Sequence, residues 1–208
     1  MAAIPKLYLV AARSLFGSEA AWLRAVADVH AAASRILALP IAIQVRIEPE
    51  HSEATRLAVA ALDTIGGARA VPLFLNAAGV DAAALGYDAV HWPEQRIPAA
   101  PLASAIPCAA SVHSMSALRR AEAVGVRFAL FGAVWAPTWK VARVAGVEEL
   151  RALCAASTIP LLAIGGVTPE RVPECLRAGS AGVAVASGVF RAASPAQALR
   201  DYARALCA

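Results

Sequence analysis

The sequence predicts a single-domain (β/α)8 barrel, an α/β fold around a closed parallel sheet, and three observations carry that expectation. Strand-like apolar runs alternate with amphipathic helical patterns along the whole chain, about eight times over. The strand-like runs are continuously apolar, as parallel strands covered on both faces must be. No linker or shift of composition divides the 208 residues, so 1–208 reads as one domain.

In chain order, "KLYLVAA" is the first strand and "SEAAWLRAVADVHAAASRILAL" its helix. "PIAIQVRI" and "EHSEATRLAVAALDTIG" form the second unit, "AVPLFLN" and "VDAAALG" the third. "YDAVHW" follows, with a proline-rich stretch to Pro107 that reads as loop or very short helix. The last four units are "PCAASVHS" with "MSALRRAEAVG", "VRFALFG" with "VEELRALCAAST", "IPLLAIGG" with "TPERVPECLRAG", and "SAGVAVASG" with "SPAQALRDYARALCA". Ser18, Thr168 and Ser194 are N-cap candidates, Pro169 and Pro195 occupy first helical positions, and Gly125 and Gly179 fall where helices should stop. An open doubly wound sheet would want GxGxxG after the first strand, and "AARSLFGSEA" has none.

Hydrophobic residues make up 59% of the chain and charged residues 16%, enough for a large core. Charges interrupt every apolar run before the roughly 18 residues of a membrane span, so no membrane partner is expected. The amino-terminal apolar stretch stops at Arg13 and reads as a strand, not a signal peptide. Net charge is +4, but the arginines are scattered along helices, which argues against nucleic acid and suits a phosphorylated small molecule. Cys108, Cys154, Cys175 and Cys207 lack CxxC spacing and read as free thiols in a reducing cytoplasm. Alanine-rich helix faces could pack in a homo-oligomer.

Barrels of this class gather ligand groups beyond the strands' carboxyl ends, with phosphate held after strands seven and eight. "AIGGVTPE" places Gly165 and Gly166 there, and "VASGVF" places Ser187 and Gly188. Such glycines let backbone amides approach an anion, although they also suit tight turns. After the sixth strand, "FGAVWAPTWK" offers Trp135 and Trp139 as flat apolar walls, or as a lid, and Lys140 as a cation.

"LYLVAA", "SVHSMSALRRAEAVG", "FALFG" and "IPLLAIGGVTPERVPECLRAGSAGVAVASGVF" resemble the thiamine phosphate synthase and TenI (thiazole tautomerase) family. The wording "SVHS", "LFG" and "AIGGVTPERV" is more similar to the TenI branch. The resemblance implies a (β/α)8 barrel that handles thiazole phosphates in thiamine assembly. It also implies substrate contacts at Gln44, Arg46, Asn76 and Ser111.

The family's synthase joins a thiazole phosphate to an aminopyrimidine diphosphate and needs Mg²⁺ held by carboxylates. Here the family's Q-x-R-x-K reads "QVRIE", with Glu48 in the lysine position. Asn-Asp reads Asn76-Ala77, and His-x-Gly-Gln-x-Asp reads "HWPEQR", with His91 kept and Arg96 in place of the second metal carboxylate. The spacing of Asp81, Asp88 and Glu94 does not force them together as substitutes. The tautomerase needs one acid/base, a histidine directly after the "FG" glycine, and this chain has Ala133 there. The family's hydroxyl positions flanking Thr138 are Pro137 and Trp139.

Three groups could replace the base: His91 after strand four, His113 after strand five, and Glu48, whose pKa a site near apolar walls could raise. Either histidine could instead be a hydrogen-bonded structural group. His30 and His51 fall in predicted helices and are expected in solvent. The leading expectation is therefore a TenI-like protein that binds a thiazole phosphate or a similar phosphorylated heterocycle without metal or cofactor; whether it is an enzyme stays open, and if it is one, a tautomerase-type isomerase is favoured over a synthase. Its alternatives are a synthase with altered Mg²⁺ ligands and a non-catalytic phosphate binder.

Overall fold

The computed structural model describes residues 3–48, 53–67, 69–77, 79–101, 106–139 and 141–208. Eight parallel strands close into a barrel in chain order: β1 (Leu7–Ala12), β2 (Ile41–Arg46), β3 (Leu73–Asn76), β4 (Ala89–Trp92), β5 (Cys108–Val112), β6 (Ala129–Gly132), β7 (Leu161–Ile164) and β8 (Gly182–Val185). The seam is ordinary parallel pairing, Leu7 opposite Val183 and Leu9 opposite Val185. No edge is left.

The outer ring holds α1 (Glu19–Ala33), α2 (Ala54–Ile65), α3 (Met115–Ala123), α4 (Val147–Ala156), α5 (Val172–Arg177), a single turn α6 (Ser187–Phe190) and α7 (Pro195–Cys207). Ser18 and Ser194 cap α1 and α7 by accepting from the Ala21 and Gln197 amides, and Ser114 does the same for α3. Thr168 precedes a short 3-10 turn and makes no side-chain cap. Trp22 Nε1 donates to the Ala11 carbonyl and docks α1 onto β1.

Two crossovers are thinner than the alternating pattern suggests. The helix expected over "VDAAALG" is a series of turns: Asp81 caps its start by accepting from the Ala83 and Ala84 amides, and Gly86, at φ +83°, ends it one turn later with the Tyr87 amide donating back to the Ala82 carbonyl. After β4 comes a 3-10 turn, Glu94–Arg96. His30 is a further correction: it lies on the inner face of α1, 8% exposed, and burial lowers its pKa. His51 lies outside the described residues. None of the four cysteines is joined in a disulfide, Cys108 and Cys175 are buried, and burial pushes the Cys175 thiol up to about 12.

Aromatic rings fill the middle of the barrel. Tyr8 meets Phe74 and Phe128 edge to face, with centroids 5.2 and 5.5 Å apart, and Phe74 meets Phe128 at 5.6 Å. These rings form a floor. Below it, at the strands' amino ends, lies an apolar cavity of about 500 Å³; above it, at the carboxyl ends, lies one of about 550 Å³.

Candidate active site at the carboxyl mouth

The upper cavity gathers both glycine turns. Gly165, Gly166, Ser187 and Gly188 line it together with Arg46, Asn76, Ser111, His113 and Trp139. The lower cavity contains none of these residues. Turns separated by one helix and one strand thus meet at one end of the barrel, as the sequence pattern expects.

Why these positions are glycine is partly a matter of packing. Gly165 has φ +96°, and a Cβ there would collide with Ala133. A Cβ on Gly188 would collide with the Tyr202 hydroxyl. The loop after β6 presses onto the β7 turn because Val134 and Trp135 continue the pairing, donating to the Ile164 and Gly165 carbonyls at 2.8 and 3.0 Å. Steric demand and an open backbone for an anion coincide here.

Three arginines face this mouth. Arg171 donates to the Gly166 carbonyl at 2.6 Å and lies 5.0 Å from the Trp135 ring centroid, a cation–π contact. Arg143 is held by Glu149 at 2.7 Å, and Arg46 lies 3.6 Å from Glu48. Among the described lining residues the one carboxylate is Glu94, which accepts from the His113 amide at 2.7 Å. The field at the mouth favours an anion.

The three expected bases separate by depth. His113 lines the mouth, and its Nδ1 pairs with the Gly132 carbonyl. A carbonyl only accepts, so Nδ1 carries a hydrogen and Nε2 is the ring nitrogen left for a ligand. His91 does not reach the mouth: it is 1% exposed in the barrel core, with a pKa pushed down to about 3, chiefly by burial and secondly by Arg46. Its proposed role as base is corrected to a buried neutral group. Glu48 is likewise withdrawn from the cavity, since both its oxygens are engaged by Ser14, the hydroxyl at 2.7 Å and the amide at 3.3 Å.

Two expected substrate contacts also move. Gln44 points inward but sits a step below Arg46 on β2, 2% exposed and absent from the mouth's lining. Trp135 is absent from the lining, its ring lying against Arg171, and of the two tryptophans only Trp139 walls the cavity. Lys140 lies outside the described residues. Arg143, Arg171 and Tyr202 were not anticipated. Arg171 had a signal, since it opens the helix directly after the Gly165–Gly166 turn.

The residues at the positions that resemblance gives to metal carboxylates do not fit a divalent ion. Ala77 has no ligand atom and Arg96 carries a repelling charge. Among the described residues no three His, Cys, Asp or Glu side chains cluster as a metal site would require.

The chain is 37% identical over 155 residues to a thiamine-phosphate synthase of Xanthomonas campestris pv. campestris, covering 72% of this chain and 75% of that one. It is 32% identical over 188 residues to the thiamine-phosphate synthase of Salinispora arenicola, covering 87% and 90%. Among solved structures, a thiamine phosphate pyrophosphorylase from Pyrococcus furiosus superposes with a TM-score of 0.71 at 24% identity, covering 97% of this chain and 95% of the other, which speaks for the fold. These names support a role in thiamine biosynthesis and give no support to the tautomerase branch. Residues 7–189 match the family model described as thiamine monophosphate synthase (TMP-TENI), and the chain belongs to that family.

Proposed function

We propose that this chain is a thiamine-phosphate synthase whose mouth neutralises its substrates' phosphates with arginines instead of carboxylate-held Mg²⁺. The observation that carries the reading is the concentration of Arg46, Arg143 and Arg171 around the two glycine turns, with Glu94 the one carboxylate among the described lining residues. Coupling a thiazole phosphate to an aminopyrimidine diphosphate expels pyrophosphate, and the charge that develops on it must be met by fixed cations or donors. Guanidinium groups supply both, in forked pairs suited to phosphate oxygens.

In this reading the thiazole's phosphate rests on the turns at Gly165–Gly166 and Ser187–Gly188, with Arg171 beside them. Trp139 walls the rings, while Ser111 and Arg46 meet the second anion. Holding both reactants in one cavity supplies much of the acceleration by proximity alone.

A second reading rests on His113. Its free Nε2 at the mouth is suited to moving a proton on a bound thiazole, the tautomerase reaction, with no metal involved. The two readings separate in one assay. Purified protein given thiazole phosphate and the aminopyrimidine diphosphate should release pyrophosphate. Aromatisation of the thiazole tautomer without pyrophosphate release would favour the second reading, and binding without either reaction would leave a phosphate-ligand binder.

A further inference from the structure

A buried line of polar groups climbs the barrel interior and ends at Ser111. The Tyr8 hydroxyl lies 3.2 Å from His91 Nδ1, and His91 Nε2 lies 2.8 Å from Ser111 Oγ. Tyr8 and His91 are 0% and 1% exposed, and neither reaches the mouth; Ser111 does. Such a line is costly to bury where the surrounding floor is Phe74 and Phe128, so each of its members has to be satisfied by the next.

Its polarity follows from counting hydrogens. A phenol has one, and so does the neutral imidazole that burial favours. The Tyr8 hydrogen needs an acceptor, and His91 Nδ1 is within reach. Taking His91 Nδ1, and not the neighbouring Gln44 amide, as that acceptor sets the direction of the line. With Nδ1 accepting, the imidazole hydrogen sits on Nε2 and goes to Ser111 Oγ. The serine's own hydrogen is then left for the mouth.

We propose that Tyr8 and His91 are positioning residues that fix Ser111 as a hydrogen-bond donor to an anionic ligand oxygen. The inference rests on the phosphorylated-ligand reading above and adds a fixed donor to it. Ser111, whose hydrogen is not spent on His91, meets a ligand acceptor such as a phosphate oxygen by donating. His91 thereby shapes the ligand's environment without touching it.

Two measurements test this on the full chain. Imidazole ¹⁵N spectra at neutral pH should show His91 as the Nε2–H tautomer, shifting toward a mixture in Tyr8→Phe. Calorimetric titration with thiazole phosphate and with inorganic pyrophosphate should show Ser111→Ala and His91→Leu each weakening at least one ligand by about tenfold. The double variant should be no weaker than Ser111→Ala, and His91→Gln, which keeps a donor near Nε2, should recover most of the loss. If His91→Leu does not fold, Tyr8→Phe and His91→Gln carry the comparison.

An Nδ1–H tautomer, or losses that multiply in the double variant, would overturn the proposal. So would wild-type affinity in His91→Leu alongside weak binding in Ser111→Ala, and in that case the functional reading would survive. If the wild-type protein bound neither probe, both would fall.

Discussion

The Tyr202 hydroxyl donates to the Val167 carbonyl at 2.8 Å, and the same oxygen occupies the space a side chain on Gly188 would need. One residue of α7 thus braces the turn after β7 against the turn after β8. Tyr202→Phe leaves a buried carbonyl unpaired and should lower stability by about 1–2 kcal/mol in urea denaturation. Affinity for thiazole phosphate should fall with it, because the spacing of the two turns is no longer fixed. Gly188→Ala, which drives the ring aside, should cost more than Tyr202→Phe in both measurements.

Arg171 is engaged by its neighbours before any ligand arrives, through the Gly166 carbonyl and the Trp135 face. Arg171→Ala should weaken thiazole phosphate binding by about tenfold or more, the scale of a lost charged hydrogen bond. Arg171→Lys should recover only part, since an ammonium cannot reproduce the planar fork and the stacking together. Calorimetry checks the affinity, and a change in Trp135 fluorescence on removing the guanidinium checks the stacking.

Burial depresses the pKa of His91 from 6.5 to about 3, which makes stability depend on pH with a definite sign. Between those values the unfolded chain binds a proton that the folded chain refuses, so stability is full above about pH 6.5 and falls as pH drops toward 3. One such group contributes a slope of at most about 1.4 kcal/mol per pH unit. Urea midpoints should therefore decline from pH 6.5 to about 5.5, a window above most of the carboxylate titration. His91→Gln should flatten that decline, and the residual slope should include His30, whose pKa burial also lowers.

Glu48 is bound by Ser14 and accompanies Arg46, so it should not behave as a base. Glu48→Gln should keep turnover within about threefold of wild type, while Glu48→Ala should lose about 1–2 kcal/mol of stability with the Ser14 contacts. A collapse of turnover in Glu48→Gln, with the fold intact, would return it to the chemistry.

The barrel was legible because parallel strands covered on both faces leave uninterrupted apolar runs, and the meeting of the two glycine turns at one cavity was legible because their glycines sit at strand exits. Depth within the barrel was not. Gln44 and Arg46 alternate onto the same inner face, yet only Arg46 is high enough to reach the mouth, and strand stagger sets that height. The same stagger places His91 opposite Ala109, one alternation below Ser111 on β5, so the histidine supports the serine from beneath. Trp135 was misplaced because its ring is taken up by Arg171, a contact from the turn after β7 that the spacing of the loop does not show. The third helix is cut to a single turn because Gly86 takes the left-handed conformation five residues after the Asp81 cap.

The most direct test of the central claim is a crystal structure with thiazole phosphate bound. The phosphate should lie within hydrogen-bond distance of backbone amides in the turns at Gly165–Gly166 and Ser187–Gly188, with Arg171 beside it and the ring against Trp139. A phosphate bound elsewhere, whether in the apolar cavity beneath the Tyr8–Phe74–Phe128 floor or at the mouth but away from both turns, would contradict it.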